Sequence, residues 1–487
     1  MPSSALNPAD EEVFSSLLPR QSRARLLWLL GGCAALVLAM LALVMFSDAD
    51  PPDVSDLAFT PRQVPDEANF YLAALRWAAP VRRERIFTND LYATYGKTSG
   101  DPGTVAYSYS GEWEEALARG CGWTPALCEK LRPQLVPLAE AFLPLANMTE
   151  AGPVDDDAVP GSWRFYQGAS LLPLAAFLEY AEGHRAEALA ILTAELRAAQ
   201  LLMDGGLPLV GYWSGTHFYR VAANACAGLA SRADADATFV RAMLQAVAAL
   251  PVGRDSYEES LLQEAAVQLP KFRKSPEDAF DHILKGQPLP DIVRMSFRIP
   301  MCYKRNLTAG GYAAQVRAAS SVREATLGDI RTTLPEGGYY PFSSLRDFHP
   351  YNLNGRYLLN QTGTGLRHVA QARLLHFSRQ SALRAFLAAR LYEREHGELP
   401  ASLDVLVPDY LPEVPFDYID RQPIRYDREL RAVWSLGLRG LVTPPAMPGK
   451  NEAYSNVVVY RFAPLEPAAG DAAQDAQDIA PAPLPAR

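Results

Sequence analysis

The longest uninterrupted run of apolar residues lies near the N-terminus, at residues 26–46, and reads LLWLLGGCAALVLAMLALVMF. No charged side chain interrupts it. At ~1.5 Å of rise per residue, the run makes a helix of about 31 Å, which matches the ~30 Å hydrocarbon core of a bilayer. The pattern therefore predicts one transmembrane helix, with the lipid bilayer as the partner of residues 26–46.

The charges beside this run predict its orientation. Arg20, Arg23 and Arg25 precede it, whereas aspartates follow it from Asp48 onward. Arginines mark the cytoplasmic flank of a span, so residues 1–25 are predicted to be cytoplasmic and the bulk of the chain to lie across the membrane. A cleaved signal peptide is the alternative, because small residues follow the run, although such peptides have an apolar core of only ~7–15 residues. The Ala, Leu and Arg usage is typical of bacteria, and we expect a bacterial inner-membrane protein with a periplasmic domain.

Beyond the apolar run, the spacing of apolar residues is mainly that of α-helices, so the predicted fold class is mainly α. Between residues 162 and 269 the helical stretches are separated by short breaks, which is typical of antiparallel hairpins. Prolines such as Pro133, Pro137 and Pro270 are expected to break or end helices. The predicted order is a cytoplasmic segment (residues 1–25), a transmembrane helix (26–46), a linker (47–64), a mostly helical periplasmic domain (65–365), a small α+β module (366–463) and a disordered tail (464–487).

The segment at residues 306–366 departs from this helical pattern. It is rich in Gly, Tyr, Asn and Arg, and the pairs Gly310-Gly311 and Asn354-Gly355 indicate turns. A long irregular segment within a domain is usually functional or mobile. Its aromatic residues form a candidate partner surface, with anchoring of a loop as the alternative role. These residues are Tyr339, Tyr340, Phe342, Phe348 and Tyr351.

A long helix near the C-terminus is predicted to end in a turn that leads into a small β-meander. The helix at residues 368–396 precedes Gly397, which can take the left-handed conformation that ends a helix, and Pro400, which prevents its continuation. Leu403 and Leu406 are then expected to face back onto the helix. Alternating apolar residues indicate short strands at residues 424–426, 433–437 and 457–462.

This order of elements resembles the soluble part of the major pseudopilins of type II secretion. The matching positions include Tyr392, Gly397, Leu399, Leu403 and Leu406. The resemblance implies a pseudopilin-like α+β module at residues 366–463, and the same tail occurs on uncharacterised membrane-anchored bacterial proteins with helical ectodomains. Filament assembly is not implied, because no prepilin peptidase motif precedes the apolar run and the acidic calcium cluster of the family is missing from the sequence.

Composition and charge exclude some classes of partner. Apolar residues make up 49% of the chain and charged residues 21%, which are ordinary values for a folded protein. The net charge of −9 and the lack of a basic stripe argue against a nucleic-acid partner.

The five cysteines suit an oxidising compartment. Cys121 and Cys128 flank a Thr-Pro helix start, and their separation allows a disulfide, with two buried thiols as the alternative. Cys226 and Cys302 are either a second pair or two core residues, whereas Cys33 lies inside the apolar run. No Cys or His pattern has the spacing of metal ligands, so no metal or other cofactor is predicted.

Ser214 and His217 are the nearest approach to a catalytic pair in the sequence. The Gly-Tyr-Trp-Ser-Gly stretch around Ser214 lacks the spacing of a hydrolase nucleophile elbow, and capping of a helix is the plainer interpretation. His368 and His376 lie close to one helix face but have no third ligand in the pattern. No catalytic residue is predicted.

These patterns together favour a non-enzymatic, single-span envelope protein that acts as a scaffold or binds another envelope protein. An envelope hydrolase acting on a wall or lipid substrate is the alternative. A ligand-binding sensor is a third and weaker interpretation, because residues 1–25 contain no signalling domain.

Overall fold

The structure, a computed structural model, is mainly helical and contains a small antiparallel sheet, which confirms the coarse fold class. It describes residues 20–82, 86, 124–154, 162–251, 255–274, 295–296, 298–334, 351–440, 442–443 and 458–463. Contacts divide the chain into two compact units. Unit 1 comprises residues 1–54, 269–312 and 338–362, and unit 2 comprises residues 55–268, 313–337 and 363–487.

Within the described residues there are eleven α-helices and three strands. The helices are α1 Arg20–Phe46, α2 Phe70–Ala78, α3 Pro125–Phe142, α4 Ser162–Ala181, α5 Arg185–Asp204, α6 Leu209–Ser231, α7 Ala237–Ala248, α8 Tyr257–Phe272, α9 Arg305–Ser321, α10 Leu327–Thr333 and α11 Leu353–His396. The strands are β1 Arg425–Asp427, β2 Ala432–Trp434 and β3 Val459–Arg461.

Helix α1 contains the predicted span. Its stretch Arg25–Leu43 is long and apolar enough to cross a membrane, and none of it is buried in the protein. A cleaved signal sequence has the same length and composition, so the orientation and the retention of this helix stay predictions.

The largest helical core, in unit 2, is formed by α4, α5 and α6, each of which packs against the other two. Gly183, at a φ of 91°, turns the chain between α4 and α5, and a left-handed residue of this kind is typical of glycine at a helix end. Phe165 and Phe218 lie at the centre of the core, with ring centroids 4.6 Å apart. Helices that are consecutive in the chain are therefore neighbours in this core, and their hairpin arrangement stays a prediction.

Three prolines that were expected to interrupt helices lie inside them. Pro133 and Pro137 are within α3, and Pro270 is within α8, so the expected breaks at these positions are wrong. A proline removes one backbone hydrogen bond, but α3 offsets this loss by burying an apolar face along its whole length. Thr124 caps this helix by accepting a hydrogen bond from the Leu127 amide, as the Thr-Pro pair predicted.

The segment at residues 306–366 is largely helical where it is described, which corrects the turns expected at its glycines. Gly311 lies inside α9, where an added Cβ would come within 2.6 Å of Leu359. Gly355 lies in the first turn of α11, where a Cβ would come within 2.0 Å of the Thr308 hydroxyl. These glycines allow α9 and α11 to approach closely inside unit 1. Close helix packing therefore explains the glycines that the sequence analysis interpreted as turns.

The C-terminal elements follow the predicted order. Helix α11 begins at Leu353, well before the expected start, and ends before Gly397, whose φ is 80°. Leu403 and Leu406 are buried in one turn of 3₁₀-helix. The strands pair antiparallel in the order β1-β2-β3, with Tyr426 opposite Val433. The predicted tail at residues 464–487 lies outside the described residues.

Candidate functional site

The C-terminal end of α1 is fixed to the rest of unit 1 by Asp48. The Asp48 carboxylate accepts hydrogen bonds from the backbone amides of Asn306, at 3.0 Å, and Leu307, at 3.4 Å. These amides belong to the first turn of α9. Backbone N–H groups in the first turn of a helix have no hydrogen-bond acceptor within that helix. A carboxylate that follows the apolar run therefore caps a helix more than 250 positions away.

Lys304 forms a second connection to the end of α1. Its side chain is only 3% exposed, and its ammonium group donates a hydrogen bond of 2.7 Å to the carbonyl oxygen of Met45. Carbonyl oxygens in the last turn of a helix receive no hydrogen bond from the amides of that helix, and they carry partial negative charge. A cation at this position is therefore favourable. The 3₁₀ turn Pro300–Cys302 also packs against α1.

Asn352 organises the backbone around these contacts. Its side-chain oxygen accepts hydrogen bonds from the Lys304 amide, at 2.9 Å, and the Thr308 hydroxyl, at 3.1 Å. Its own amide donates a hydrogen bond of 2.7 Å to the Met301 carbonyl. Asn352 has a φ of 52°, a left-handed conformation that asparagine adopts more readily than most residues.

A groove of about 520 Å³ lies beside these residues in unit 1. Its walls are mostly apolar, with a few polar groups. It is lined by Ala49, Asp50, Pro52, Asn306, Leu307, Gly310, Gly311, Tyr351, Asn352, Arg356 and Leu359. An apolar groove with a few polar groups suits the binding of a ligand that has an apolar and a polar part.

One residue of the predicted aromatic partner surface lines this groove. Tyr351 is half-buried, and the Lys304 ammonium lies 5.4 Å from the centre of its ring. The other members, Tyr339, Tyr340, Phe342 and Phe348, lie outside the described residues, so a surface formed by all five stays a prediction.

Ser214 and His217 do not form a nucleophile and base. The Ser214 hydroxyl donates a hydrogen bond to the Val210 carbonyl at 2.7 Å, and the His217 ring contacts Ser170 and Arg220 instead. Burial lowers the pKa of His217 to about 3, and the positive charge of Arg220 acts in the same direction. A histidine with this pKa is a poor general base near neutral pH, so this pair gives the hydrolase alternative no support.

Three side chains with metal-binding groups meet where α4 leads into α5. Glu179, Glu182 and His184 place potential ligand atoms close together, and the His184 ring lies 2.7 Å from Glu179. Arg132 forms ion pairs with Glu179, at 3.3 Å, and with Glu182, at 2.9 Å, and so compensates the negative charge of both carboxylates. We interpret the group as a structural ion-pair cluster. His368 is exposed and His376 is buried, so these two do not share an environment.

The cysteines of the described residues are free thiols. Cys226 and Cys302 are buried and unpaired with each other, so they are core residues. Cys128 is also a buried free thiol, and its expected partner Cys121 lies outside the described residues, so their disulfide stays a prediction. Burial raises the pKa of all three thiols, which makes them unreactive.

The residues that fix α1 were not singled out by the sequence. Asp48 was assigned to the linker at residues 47–64 and Asn352 to the irregular segment at residues 306–366, whereas Lys304 was assigned only to the mostly helical domain at residues 65–365. One indication was available, because α9 starts after a lysine, which cannot cap a helix, so its first amides are left to water or to an acceptor from elsewhere in the chain. The sequence does not show which of the many acidic residues provides it.

Comparison with known proteins gives no relative for this chain. No protein-family model, curated protein or solved structure matches it. The resemblance of the C-terminal module to major pseudopilins therefore stays a prediction, and function has to be argued from the described residues.

Proposed function

We propose that this protein is a single-span protein of the bacterial inner membrane. In this proposal α1 crosses the bilayer, and the residues that follow α1 lie on the periplasmic side as a non-enzymatic scaffold for another envelope protein. The observation that carries the proposal is the surface of α1. Every described side chain from residue 25 to residue 43 is exposed, and almost all of them are apolar. Apolar area left in water costs about 25 cal/mol per Å², and a bilayer is the environment that removes this cost.

The contacts at the end of α1 support an uncleaved anchor over a removed signal peptide. Cleavage after Ala49 would remove Asp48, which accepts the first amides of α9, and Met45, which accepts the Lys304 ammonium. Lys304 would then be a buried cation without its acceptor, which is unfavourable. A segment that completes the fold of unit 1 is expected to remain attached to it.

A scaffold role is supported by the use of the buried charges. Arg373 pairs with Asp255 at 2.8 Å, and Arg425 pairs with Asp417 at 2.7 Å, both inside unit 2. Asp417 also accepts hydrogen bonds from the hydroxyls of Ser378 and Ser435. In the described residues these groups are occupied in holding elements together, which suits a rigid surface for a partner.

The anchor is tested by extraction and by topology reporters. Full-length protein is expected to stay in the membrane fraction at alkaline pH, because α1 is embedded in the bilayer. Alkaline phosphatase fused at the C-terminus is expected to be active, since it folds only in the oxidising periplasm, whereas a fluorescent reporter that needs the cytosol is not. Release at alkaline pH contradicts the anchor, and a cytosolic C-terminus contradicts the proposed orientation.

The scaffold role is tested by recovery of a partner. Crosslinking in intact cells followed by purification from solubilised membranes is expected to give a reproducible envelope protein. A variant with Ser214→Ala serves as a control for the hydrolase alternative and is expected to recover the same protein. Failure to recover any reproducible envelope protein contradicts the scaffold role without affecting the anchor.

A further inference from the structure

Unit 1 exposes large apolar side chains outside α1. Met295 is 73% exposed, Ile299 is 42% exposed and Leu307 is 39% exposed. Single exposed apolar residues are common on protein surfaces and need no explanation. These three are different because of where the chain places them.

Two of these residues are connected to α1, Leu307 by a hydrogen bond just beyond its C-terminal end and Ile299 by the packing of the turn that follows it. The Leu307 amide donates to Asp48, which follows the last residue of α1, Phe46, by two positions. Ile299 directly precedes the 3₁₀ turn Pro300–Cys302, which packs against α1. If α1 spans the bilayer up to Phe46, both side chains lie at the level where hydrocarbon gives way to lipid headgroups.

Met295 belongs to the same local structure. The Ile299 amide donates a hydrogen bond of 3.0 Å to the carbonyl of Ser296, the neighbour of Met295. The Ser296 hydroxyl in turn bonds the side chain of Asn354 at 2.7 Å. The stretch that carries Met295 and Ile299 is therefore held by the fold of unit 1.

Basic side chains alternate with these apolar ones. Arg298 and Arg305 are exposed, and they flank the 3₁₀ turn on its two sides. Of the first two aspartates that follow α1, Asp48 accepts the amides of α9, and Asp50 lines the adjacent groove. Apolar side chains interleaved with arginines are the pattern of surfaces that lie in the interface of a membrane, where arginine meets lipid phosphate.

We propose that unit 1 has a second membrane contact besides α1. Ile299, Leu307 and Met295 enter the headgroup region of the periplasmic leaflet, while Arg298 and Arg305 bind phosphate groups of phospholipids. This inference rests on the proposed function, because α1 must span the bilayer for these residues to reach it. The bilayer is the occupant because the surface is continuous with the end of a helix whose own apolar surface the bilayer covers.

The contact is tested by photocrosslinking in the full-length protein in native membranes. Benzoylphenylalanine replaces one residue at a time at Ile299, Leu307 and Leu36, the last as a position inside the predicted span. Val405 is the matched control, since it is an exposed aliphatic residue, 45% exposed, that belongs to unit 2. Each probe sits at an exposed position, so the substitution leaves the core unchanged. Lipid adducts are identified by mass spectrometry.

Phospholipid adducts are expected at positions 299 and 307, about tenfold above position 405, because both side chains enter the lipid interface. Adducts at position 36 with none above control at 299 and 307 overturn the second contact and leave the anchor in place. Absence of adducts at position 36 overturns the proposed function itself. Adducts of 299 and 307 with a protein, in place of lipid, show that a partner protein covers the surface and also overturn the second contact.

A second measurement tests the role of the arginines. Full-length protein is reconstituted in phosphatidylcholine vesicles with or without phosphatidylglycerol, and the adduct yield at position 299 is compared. The yield is expected to rise severalfold with the anionic lipid, and the double variant Arg298→Gln, Arg305→Gln is expected to remove that rise. An adduct yield that changes neither with phosphatidylglycerol nor with the arginine substitutions overturns the phosphate contact.

Discussion

His376 is a titratable side chain that the fold keeps neutral. It is 1% exposed, and neither ring nitrogen has a hydrogen-bond partner among the described residues. Its ring packs edge-on against Tyr219, with centroids 4.6 Å apart. Burial lowers its pKa from 6.5 to about 3, with smaller contributions in the same direction from Arg379 and Arg373.

This lowered pKa predicts a loss of stability in mild acid. Between about pH 3 and 6.5 the unfolded chain binds a proton at this position that the folded chain does not, so the free energy of unfolding falls as the pH drops below 6.5. At pH 5 the loss from this residue is about 2 kcal/mol. The variant His376→Phe lacks the proton site, so its free energy of unfolding relative to the natural protein is expected to rise by about that amount between pH 7 and 5. Denaturant unfolding of the detergent-solubilised proteins measures this, and a difference that stays constant with pH contradicts the prediction.

Asp48 provides a second prediction for a single residue. Replacing Asp48 by Ala removes the acceptor for the first amides of α9 and is expected to lower the stability of unit 1 by about 1 kcal/mol, the usual contribution of a helix cap. Asp48→Asn is the matched control, because asparagine caps helices about as well as aspartate. Thermal unfolding of the full-length proteins in detergent measures both. Equal losses for the two variants indicate that charge, and not the cap, is what matters.

Single residues were the least predictable part of the candidate site. The sequence shows that Asp48, Lys304 and Asn352 are polar, but the bonds that join them cross more than 250 positions for Asp48 and Lys304. The local spacing of apolar and polar residues contains no information on contacts between residues that are so far apart in the sequence. Tyr351 was singled out, and it does line the groove, although for its aromatic character alone.

At the scale of whole elements, the C-terminal end of α6 is held by arginines from α11. Arg390 is fully buried and donates hydrogen bonds of 3.0 Å to the carbonyls of Ala230 and Ser231. Arg394 donates to the next two carbonyls, those of Arg232 and Ala233. Positive groups at the negative end of a helix dipole join α6 to the helix stem of the C-terminal module.

Removal of Arg390 is expected to be strongly destabilising. Arg390→Met leaves two helix carbonyls without donors and deprives the buried Glu393 of one of its two arginine partners, the other being Arg431. The expected loss is about 3–5 kcal/mol, as for other broken buried ion pairs. Arg394→Met, at a more exposed position, is the control and is expected to lose about 1 kcal/mol or less. Chemical denaturation measures both, and similar losses contradict the role of burial.

Most helices and the order of the C-terminal strands could be predicted, because the periodicity of apolar residues reflects the face that each element buries. The glycines and prolines were misleading for a common reason. Gly311 and Gly355 mark close approach of two helices, and Pro133 and Pro137 are tolerated in a helix whose packing is strong. In each case the partner that decides the outcome is distant in the sequence.

The whole molecule differs from a simple succession of domains along the chain. Unit 1 comprises three separate stretches of the sequence, and unit 2 comprises the three stretches that follow each of them in the chain. Periodicity assigns elements one after another and cannot show that the residues after α1 belong with residues 269–312 and 338–362. Localisation and partners are likewise outside what periodicity determines, and they are left to the extraction, reporter and crosslinking experiments.

The remote cap of α9 has a consequence for biogenesis. A ribosome delivers the apolar helix first, and Lys304, which binds its last turn, follows 259 positions behind Met45. At ~5–20 residues per second, tens of seconds separate the two, and Asn352 arrives later still. If α1 spans the membrane as proposed, it is therefore inserted long before unit 1 can close around its end. Nascent chains stalled before about residue 360 should leave that region open to protease, and full-length chains should protect it.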